Sequence, residues 1–316
     1  MAMGRHYRKK GDGFRVWLVW GLLGIVARLP LGFHRRMFRL VSWFLEKVMH
    51  YRRDEMMINL SRSFPDKKYK ELKQLKHRVY LHLGRIMAEA LWLSGCRGRR
   101  GPKRLHRQHL VEIVNVKDMN ALFDKSPSVV LLCGHSGNWE LYPGIFQMNY
   151  DPDHPWHASE KDYVILHKKL HSHLWERLMD RARGAVLYPM GFDKYLESET
   201  ILRYVLEHRQ EKNIYLFPTD QFPYRGAARH DVGTFMHQPT LTMTGGAAIA
   251  AKLGLSVVYA RWRSVDRKHY TMEFVPIAEN AKGMDPVDMM KRYYALLQAD
   301  LEEQPWLYLW THKRWK

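Results

Sequence analysis

A histidine and a carboxylate follow an apolar run of the sequence and could together carry out acid–base chemistry. The run Val129–Cys133 ends in a Gly-His-Ser-Gly turn that contains His135, and Glu140 lies five positions further on. A neutral imidazole can take a proton from an alcohol, while a carboxylate on the other ring nitrogen fixes the tautomer and stabilises the imidazolium. No nucleophilic serine is needed if the alcohol is itself the second substrate. The pair therefore predicts direct acyl transfer to a hydroxyl, with His135 as general base oriented by Glu140.

The spacing alone does not identify a site, because about two such pairs are expected by chance from this composition. The same spacing occurs at His50/Glu55, His157/Asp162 and His171/Glu176. Among the four histidines, His135 alone stands between glycines, Gly134 and Gly137, after a strand-like run. The alternative is a structural histidine that caps the turn, with Glu140 as a first-turn acid favoured by the helix dipole.

The elements around His135 are predicted to be a buried strand, a tight turn and a helix that opens at Asn138. Ligands gather at the carboxyl ends of strands in open α/β sheets, because loops there can approach a substrate while the sheet holds them. Gly134 and Gly137 would let backbone N–H groups come close to a developing oxyanion, aided by the positive end of the helix at Asn138.

Residues 134–140 (GHSGNWE) resemble the signature of the bacterial lipid A secondary acyltransferases, the lauroyl/myristoyl acyltransferase family. Further matches follow the family's order at residues 59–65 (NLSRSFP), 181–184 (RARG), 220–221 (DQ) and 312–316 (HKRWK). The resemblance covers nearly the whole chain. It implies a membrane-bound enzyme on the cytoplasmic face of the bacterial inner membrane. That enzyme would move a fatty acyl group from an acyl carrier protein thioester to a hydroxyl of a lipid A precursor. Acyl carrier protein carries the co-substrate, and no metal or other cofactor is implied.

Three arginines are candidates for binding the substrate, since the guanidinium fork suits phosphate. Arg181 and Arg183 match the family's Arg-x-Arg before glycine, and Arg177 precedes them on the same predicted helix. The alternative is a solvated basic helix face. Lys168 stands, with His167, where the family commonly has an arginine after a strand, and it is also predicted to bind substrate.

Asp220 and Gln221 match the family's Asp-Gln and follow the predicted strand 214–217. Their place at a strand's carboxyl end predicts a role in the site, ordering a loop or an arginine rather than touching protons. Cys133 is a conceivable nucleophile, but a thiol inside an apolar run is usually inert packing. A serine-hydrolase elbow is missing around Ser136, because Asn138 stands at the position of its closing glycine.

A metal site is not predicted, although five histidines lie close together: His154, His157, His167, His171 and His173. His167 and His171 would share a helix face, as in a two-histidine site. Lys168, however, stands where the zinc-protease motif requires glutamate. The favoured interpretation is a solvated or interfacial polar loop.

The charge of the chain predicts an anionic partner. Its 316 residues include 51 Lys and Arg against 32 Asp and Glu, a formal net charge of +19. Acyl carrier protein, a lipid A precursor and anionic membrane lipid all fit this charge. No nucleic-acid-binding module is recognisable, so nucleic acid is not predicted as a partner. The two cysteines, Cys96 and Cys133, fit a reducing compartment.

Residues 1–50 are predicted to form a membrane-associating helical arm, and residues 51–316 the catalytic domain. The apolar run 16–27 is shorter than the roughly 20 residues that cross a bilayer. Residues 33–48 combine an apolar face with a basic rim, and Trp17, Trp20 and Trp43 would lie at the membrane interface. An ordinary core helix is the alternative, and the basic run 97–107 is either a solvated loop or a contact with lipid phosphates.

The fold class predicted is α/β, with a single mixed, mostly parallel sheet flanked by helices and the N-terminal arm in addition. The predicted strands are 129–133, 163–166, 185–188, 214–217, 257–262 and 270–275. The predicted helices are 69–93, 170–183, 197–209, 240–253 and 286–302. Residues 306–316 are expected to form a final element tucked against the core or an interface anchor.

Three other functions stay open at this point. A related acyltransferase could use a phospholipid, glycolipid or aminolipid acceptor, because the signature does not encode the acceptor. A thioesterase would use the same histidine with water as acceptor. A non-catalytic basic protein of the membrane surface would need His135 only for its structure.

Overall fold

The structure is a computed structural model that describes residues 13–168, 172–187, 192, 194–224 and 227–316, with the side chains of 13–18, 173–175 and 177 outside that description. The helices are α1 Gly13–Val26, α2 Leu31–Lys47, α3 Arg53–Ser63, α4 Tyr69–Leu93, α5 Gly101–His106, α6 Val116–Lys125, α7 His173–Arg183, α8 Ile201–Glu207, α9 Gly245–Leu253 and α10 Pro286–Glu303. The strands are β1 Val111–Ile113, β2 Val129–Cys133, β3 Tyr163–His167, β4 Tyr195–Glu197, β5 Ile214–Pro218, β6 His230–Phe235, β7 Gln238–Thr242, β8 Ser256–Ser264 and β9 Tyr270–Ala278. Short 3₁₀ helices cover Trp139–Met148, Glu160–Asp162, Gly184–Val186 and Pro305–Leu307.

The main sheet has the strand order β1-β9-β8-β2-β5-β3-β4 in the described part of the chain. All neighbours in it are parallel except β8 and β9, which form an antiparallel pair. Strands β6 and β7 form a separate antiparallel hairpin. The predicted α/β fold with a mixed, mostly parallel sheet flanked by helices is therefore confirmed, whereas the prediction of a single sheet is wrong because β6 and β7 lie outside the main sheet.

Strand β2 lies in the middle of the sheet and is buried on both faces. Its side chains alternate between two apolar cores, with Val129 and Leu131 in one and Val130 and Leu132 in the other. Helices cover each core, so neither face of the strand meets water. This double burial explains why β2 is a continuous apolar run rather than an alternating one.

Several predicted boundaries are wrong, each for a local reason. The segment predicted as strand 185–188 is a 3₁₀ helix at Gly184–Val186, and Tyr188 lies outside the described residues. Residue 197 ends β4 and residues 240–242 end β7, so helices α8 and α9 begin later than predicted. The helix predicted after Asn138 is a 3₁₀ helix because Pro143 inside it cannot donate a backbone hydrogen bond. Residues 170 and 171 of the helix predicted from 170 lie outside the description, and α7 begins at His173.

Helix α2 packs closely along α4. A side chain at Gly84 of α4 would overlap the hydroxyl group of Ser42 on α2, so the glycine permits the close approach. The end of α1 is fixed by Arg104, whose Nη2 donates to the carbonyl oxygens of Ala27, Arg28 and Leu29 at 3.0–3.2 Å. Among the described helices, none has the length and apolar character needed to cross a membrane. The predicted boundary between arm and catalytic domain at residue 50 stays a prediction.

The segment after α10 lies against the turn that follows β2. Leu309 N–H donates to the His135 carbonyl oxygen at 3.0 Å, and Gly137 N–H donates to the Leu307 carbonyl oxygen at 2.9 Å. Trp310 and Arg314 are each only 1% exposed. These two residues are thus part of the core and do not anchor the chain at an interface. This agrees with the prediction that residues 306–316 form a final element tucked against the core.

Candidate active site

The candidate site lies at the carboxyl ends of two neighbouring parallel strands. In the pairing of β2 with β5, Cys133 lies beside Pro218. His135 and Asp220 each follow two residues after these positions, so they meet at the same edge of the sheet. The loops at this edge can approach a substrate while the buried strands hold the two side chains in place.

His135 is held by Asp220 through two hydrogen bonds. The His135 backbone N–H donates to Asp220 Oδ2 at 2.9 Å, and His135 Nδ1 lies 2.7 Å from Asp220 Oδ1. Gln221 Nε2 lies 3.1 Å from His135 Nε2. Because the amide nitrogen of Gln221 can only donate and the carboxylate of Asp220 can only accept, the proton is assigned to His135 Nδ1 and the lone pair to Nε2. His135 is therefore in the tautomer that a general base requires.

The charges in this dyad shift both pKa values. Burial opposes a charged imidazole, but the negative charge and hydrogen bond of Asp220 outweigh it and raise the pKa of His135. Burial would raise the pKa of Asp220, yet His135 and the hydrogen bonds that it donates hold that pKa below its usual value. The His135 side chain is 19% exposed, so part of it faces solvent at the carboxyl edge of the sheet.

Glu140 does not occupy the place that the sequence predicted for it. Its carboxylate accepts two hydrogen bonds from Arg183, Nε to Oε2 at 2.8 Å and Nη2 to Oε1 at 2.6 Å. No hydrogen bond joins Glu140 to His135 in the described part of the chain. The 3₁₀ helix turns Glu140 toward α7, whereas Asp220 reaches the imidazole from the adjacent strand. The predicted orientation of His135 by Glu140 is therefore corrected to orientation by Asp220.

Glu140 and Arg183 form a second charge pair beside the dyad. Burial would raise the pKa of Glu140, but the Arg183 guanidinium outweighs it and keeps the pKa low, so Glu140 is ionised. Trp139 Nε1–H also donates to Glu140 Oε1 at 3.1 Å, and the Trp139 ring lies edge-on to the His135 ring with centroids 5.2 Å apart. Arg183 is thus a fixed cation within the site.

The two glycines of the turn are required by packing. A Cβ atom on Gly134 would lie 2.9 Å from the Tyr293 hydroxyl oxygen. Gly137 has φ +66°, and a Cβ there would overlap Trp262. The N–H groups of His135 and Gly137 are already engaged, by Asp220 and by the Leu307 carbonyl oxygen. These two N–H groups are therefore not available to an oxyanion, and the part predicted for the other backbone N–H groups between Gly134 and Asn138 stays a prediction.

Asn138 is completely buried and holds the turn from inside. Its Oδ1 accepts from Glu140 N–H at 3.2 Å, and its Nδ2 donates to Glu89 Oε2 at 2.7 Å. The sequence predicted Asn138 as a group that stabilises the oxyanion. In the structure, its side-chain amide instead holds the backbone of the turn in place.

Two of the other predicted cations contact aromatic rings elsewhere, and the third lies outside the described side chains. Lys168 is exposed, with its Nζ 4.6 Å from the centroid of the Tyr224 ring. The Arg181 guanidinium carbon lies 6.0 Å from the centroid of the Trp20 ring of α1. The side chain of Arg177 lies outside the described residues. Of the four predicted cations, the structure brings Arg183 into the site.

Two residues near the dyad were not predicted to act there. Arg314 is buried, bonds to the Tyr294 hydroxyl at 2.8 Å, and its charge helps to keep the pKa of Asp220 low. Burial lowers the pKa of His312 to about 4, so that imidazole is neutral beside the dyad. The sequence match at 312–316 pointed to this segment, but it carried no information about which strand end the segment covers.

Two alternative chemistries have candidate residues as well. Burial raises the pKa of the Cys133 thiol well above its usual value, which disfavours the thiolate that a nucleophile needs. Ligand atoms of His167, Glu176 and Asp180 lie within 4.8 Å of one another, the spacing of a possible cation site. His167 Nε2 lies 3.2 Å from Glu176 Oε1, so these two atoms already form a hydrogen bond with each other. His154 and His157 pair separately with Asp151 and Asp124.

A comparison with protein families gives a match over nearly the whole chain. Residues 4–316 match the model of the family described as bacterial lipid A biosynthesis acyltransferase. No curated protein matches the chain.

Proposed function

We propose that this chain, which belongs to the bacterial lipid A biosynthesis acyltransferase family, transfers a fatty acyl group from an acyl carrier protein thioester to a hydroxyl of a lipid A precursor. Membership of the family makes the chain an acyltransferase of lipid A biosynthesis. The acyl donor, the hydroxyl acceptor and the chemical mechanism are the parts that we propose. One observation supports them most: Asp220 Oδ1 lies 2.7 Å from His135 Nδ1, which assigns the lone pair to Nε2 on a side chain that is 19% exposed.

The reaction that this geometry supports begins with removal of a proton. His135 Nε2 accepts the proton of the acceptor hydroxyl, and the alcohol oxygen attacks the thioester carbonyl carbon. Asp220 stabilises the imidazolium that forms. The tetrahedral intermediate then collapses, the C–S bond breaks, and the imidazolium returns the proton to the leaving thiolate. The products are an ester and the free thiol of the carrier, and the enzyme is regenerated without a covalent intermediate or a cofactor.

Arg183 is the group that we propose for stabilising the oxyanion. Glu140 holds the guanidinium by a bidentate pair, so its direction is set before the substrate arrives. A fixed cation costs little reorganisation when charge develops on the thioester oxygen. Glu140 then contributes by positioning Arg183, while Asp220 contributes by orienting His135.

Mass spectrometry of lipid A tests the proposed function. Cells that lack the protein are complemented with the intact chain, and we expect the mass of lipid A to rise by one acyl group. The purified protein, given an acyl carrier protein thioester and a lipid A precursor, should form the same product. Release of free fatty acid with no change in the precursor would identify a thioesterase instead. An unchanged lipid A mass with an acylated phospholipid or aminolipid would show that the acceptor is wrong.

We also propose that the N-terminal helices lie on an anionic membrane surface of the inner membrane's cytoplasmic face. Large apolar side chains of α2 are exposed to solvent, notably Leu40 at 70% and Trp43 at 57%. Arg39 and Lys47 on the same helix are exposed as well, and can reach lipid headgroups. The positive charge of the chain favours acidic carrier protein in the same way.

Vesicle binding measures the contribution of this helix. Replacing Leu40 and Trp43 together with serine removes two apolar side chains and should weaken binding to vesicles with anionic phospholipid by roughly tenfold to a hundredfold. The matched control replaces Leu202 and Leu206 of α8, which are 53% and 43% exposed, in the same way. Equal weakening by both double variants would show that α2 has no special role at the membrane.

A further inference from the structure

We propose that Glu89 is a positioning residue that ties helix α2 to the catalytic turn, through Arg35 on one side and Asn138 on the other. The proposal rests on the function proposed above, because it concerns the same site. It gives α2 a role in catalysis in addition to the role at the membrane surface proposed above.

The link to the catalytic turn is the Asn138 side chain. Its Nδ2 donates to Glu89 Oε2 at 2.7 Å, while its Oδ1 accepts from Glu140 N–H at 3.2 Å. The carboxylate can only accept, so it fixes the orientation of the amide. The amide oxygen of Asn138 in turn holds the backbone of Glu140 in place. The Glu140 carboxylate binds Arg183. A displacement of Glu89 would therefore reach the proposed oxyanion group.

The link to α2 is the Arg35 side chain. Glu89 is completely buried, and Arg35 Nε donates to its Oε1 at 3.1 Å, with Nη2 bound to the same oxygen. Arg85 Nε donates to that oxygen as well, at 3.0 Å. Two arginines thus share one carboxylate. Removing Arg35 leaves the buried charge of Glu89 paired with Arg85, so α2 can be uncoupled from the turn without a bare buried charge.

Helix α4 is the rigid element between the two links. His82 and Glu89 lie two helical turns apart on one face of α4. His82 Nε2 lies 3.0 Å from the Gly137 carbonyl oxygen, so the same face binds both residues at the centre of the turn. Helix α2 lies close against α4 at this point, because an added Cβ on Gly84 of α4 would overlap the hydroxyl group of Ser42 on α2. The position of α2 is therefore transmitted directly to Gly137 and Asn138.

Steady-state kinetics of Arg35→Gln test this coupling. With acyl carrier protein thioester and a lipid A precursor in detergent, we expect kcat to fall roughly tenfold and KM to stay unchanged, because the turn and not the binding surface is disturbed. The control is Arg203→Gln, which breaks an exposed Arg–Glu pair on α8 and should leave both constants within about twofold. Arg35→Lys should restore part of kcat, since lysine keeps the charge and loses the fork. A loss confined to KM would overturn the proposal.

A double-mutant cycle with Asn138→Ala separates coupling from general destabilisation. If Arg35 acts through Asn138, adding Arg35→Gln to Asn138→Ala should reduce kcat no further. If the two losses in kcat multiply, Arg35 acts by another route and the proposal is wrong. Thermal unfolding of each variant accompanies the cycle, since a merely structural role would lower Tm without the predicted non-additivity in kcat.

Amide hydrogen exchange gives a readout that needs no turnover. In Arg35→Gln we expect exchange of residues 137–140 to rise roughly tenfold, with no change in Arg203→Gln. Faster exchange in a protein without acyltransferase activity would refute the proposed function and keep the coupling. Unchanged exchange in an active enzyme would refute the coupling and keep the function.

Discussion

Replacing His135 with alanine is expected to lower the rate of acyl transfer by about 10²–10⁴-fold, the usual contribution of a general base. The variant removes the group that accepts the proton of the acceptor hydroxyl and returns it to the leaving thiolate. The rate is measured with the purified enzyme, and lipid A mass in complemented cells provides a second reading. The fold should persist, because the substitution leaves only the buried Asp220 without its imidazole partner. The charge of Arg314 still stabilises the Asp220 carboxylate.

His157→Ala is the matched control for this variant. His157 Nδ1 also pairs with an aspartate, Asp124 at 2.8 Å, but its side chain is 52% exposed and its partner precedes the amino end of β2, whereas His135 follows the carboxyl end. We expect full activity from it. Equal activity in His135→Ala and wild type, at equal expression, would show that His135 is not the base and would remove the proposed mechanism.

Asp220→Asn should lower kcat by about 10³–10⁴-fold, because asparagine cannot hold the Nδ1–H tautomer or stabilise the imidazolium. The pH profile carries a second expectation. A general base works in its neutral form, and Asp220 raises the pKa of His135. As the pH increases, wild-type activity should therefore increase around a pKa that lies above the ordinary imidazole value. Without the carboxylate the pKa falls, and the residual activity of Asp220→Asn should rise at lower pH.

Glu140→Gln distinguishes the two carboxylates of the site. It keeps one acceptor for Arg183, so we expect a smaller fall in kcat, about tenfold, and a smaller displacement of the pH profile. The decisive comparison is between the two variants. Were Glu140→Gln the more damaging and the one that moves the profile further, Glu140 would be the group that orients His135, and our assignment of Asp220 would be rejected.

Patterns that are local in sequence predicted their elements well. The strand Val129–Cys133 and the helix Tyr69–Leu93 have the predicted bounds, because a buried run and an amphipathic period are each complete within one segment. His135 was found for the same reason, as a histidine between glycines at a strand end. The sequence does not predict the hairpin β6–β7, because its short strands carry many polar residues and, in the described part of the chain, form a two-stranded sheet of their own.

The partner of His135 could not be predicted from spacing. Asp220 lies 85 positions away and reaches His135 only because β2 and β5 are neighbours in the sheet. Both residues were recognised as lying after strands, but strand order is not visible in one sequence. Spacing therefore favours Glu140, the carboxylate nearest to His135 in sequence. A 3₁₀ helix with Pro143 inside it points that side chain to Arg183 instead.

The contacts of α1 and α2 also govern how the protein can be shortened. A truncated fragment that starts at residue 51 would lack Arg35 and Ser42, and would leave Arg104 without the carbonyl oxygens of residues 27–29. The surface of α4 around Gly84, which α2 covers, would be exposed to water at the same time. Deleting an apolar leader segment is a common route to a detergent-free enzyme for crystallisation. In this chain that deletion would also remove support from the catalytic turn, so solubility would have to be improved by substitutions on the exposed side of α2.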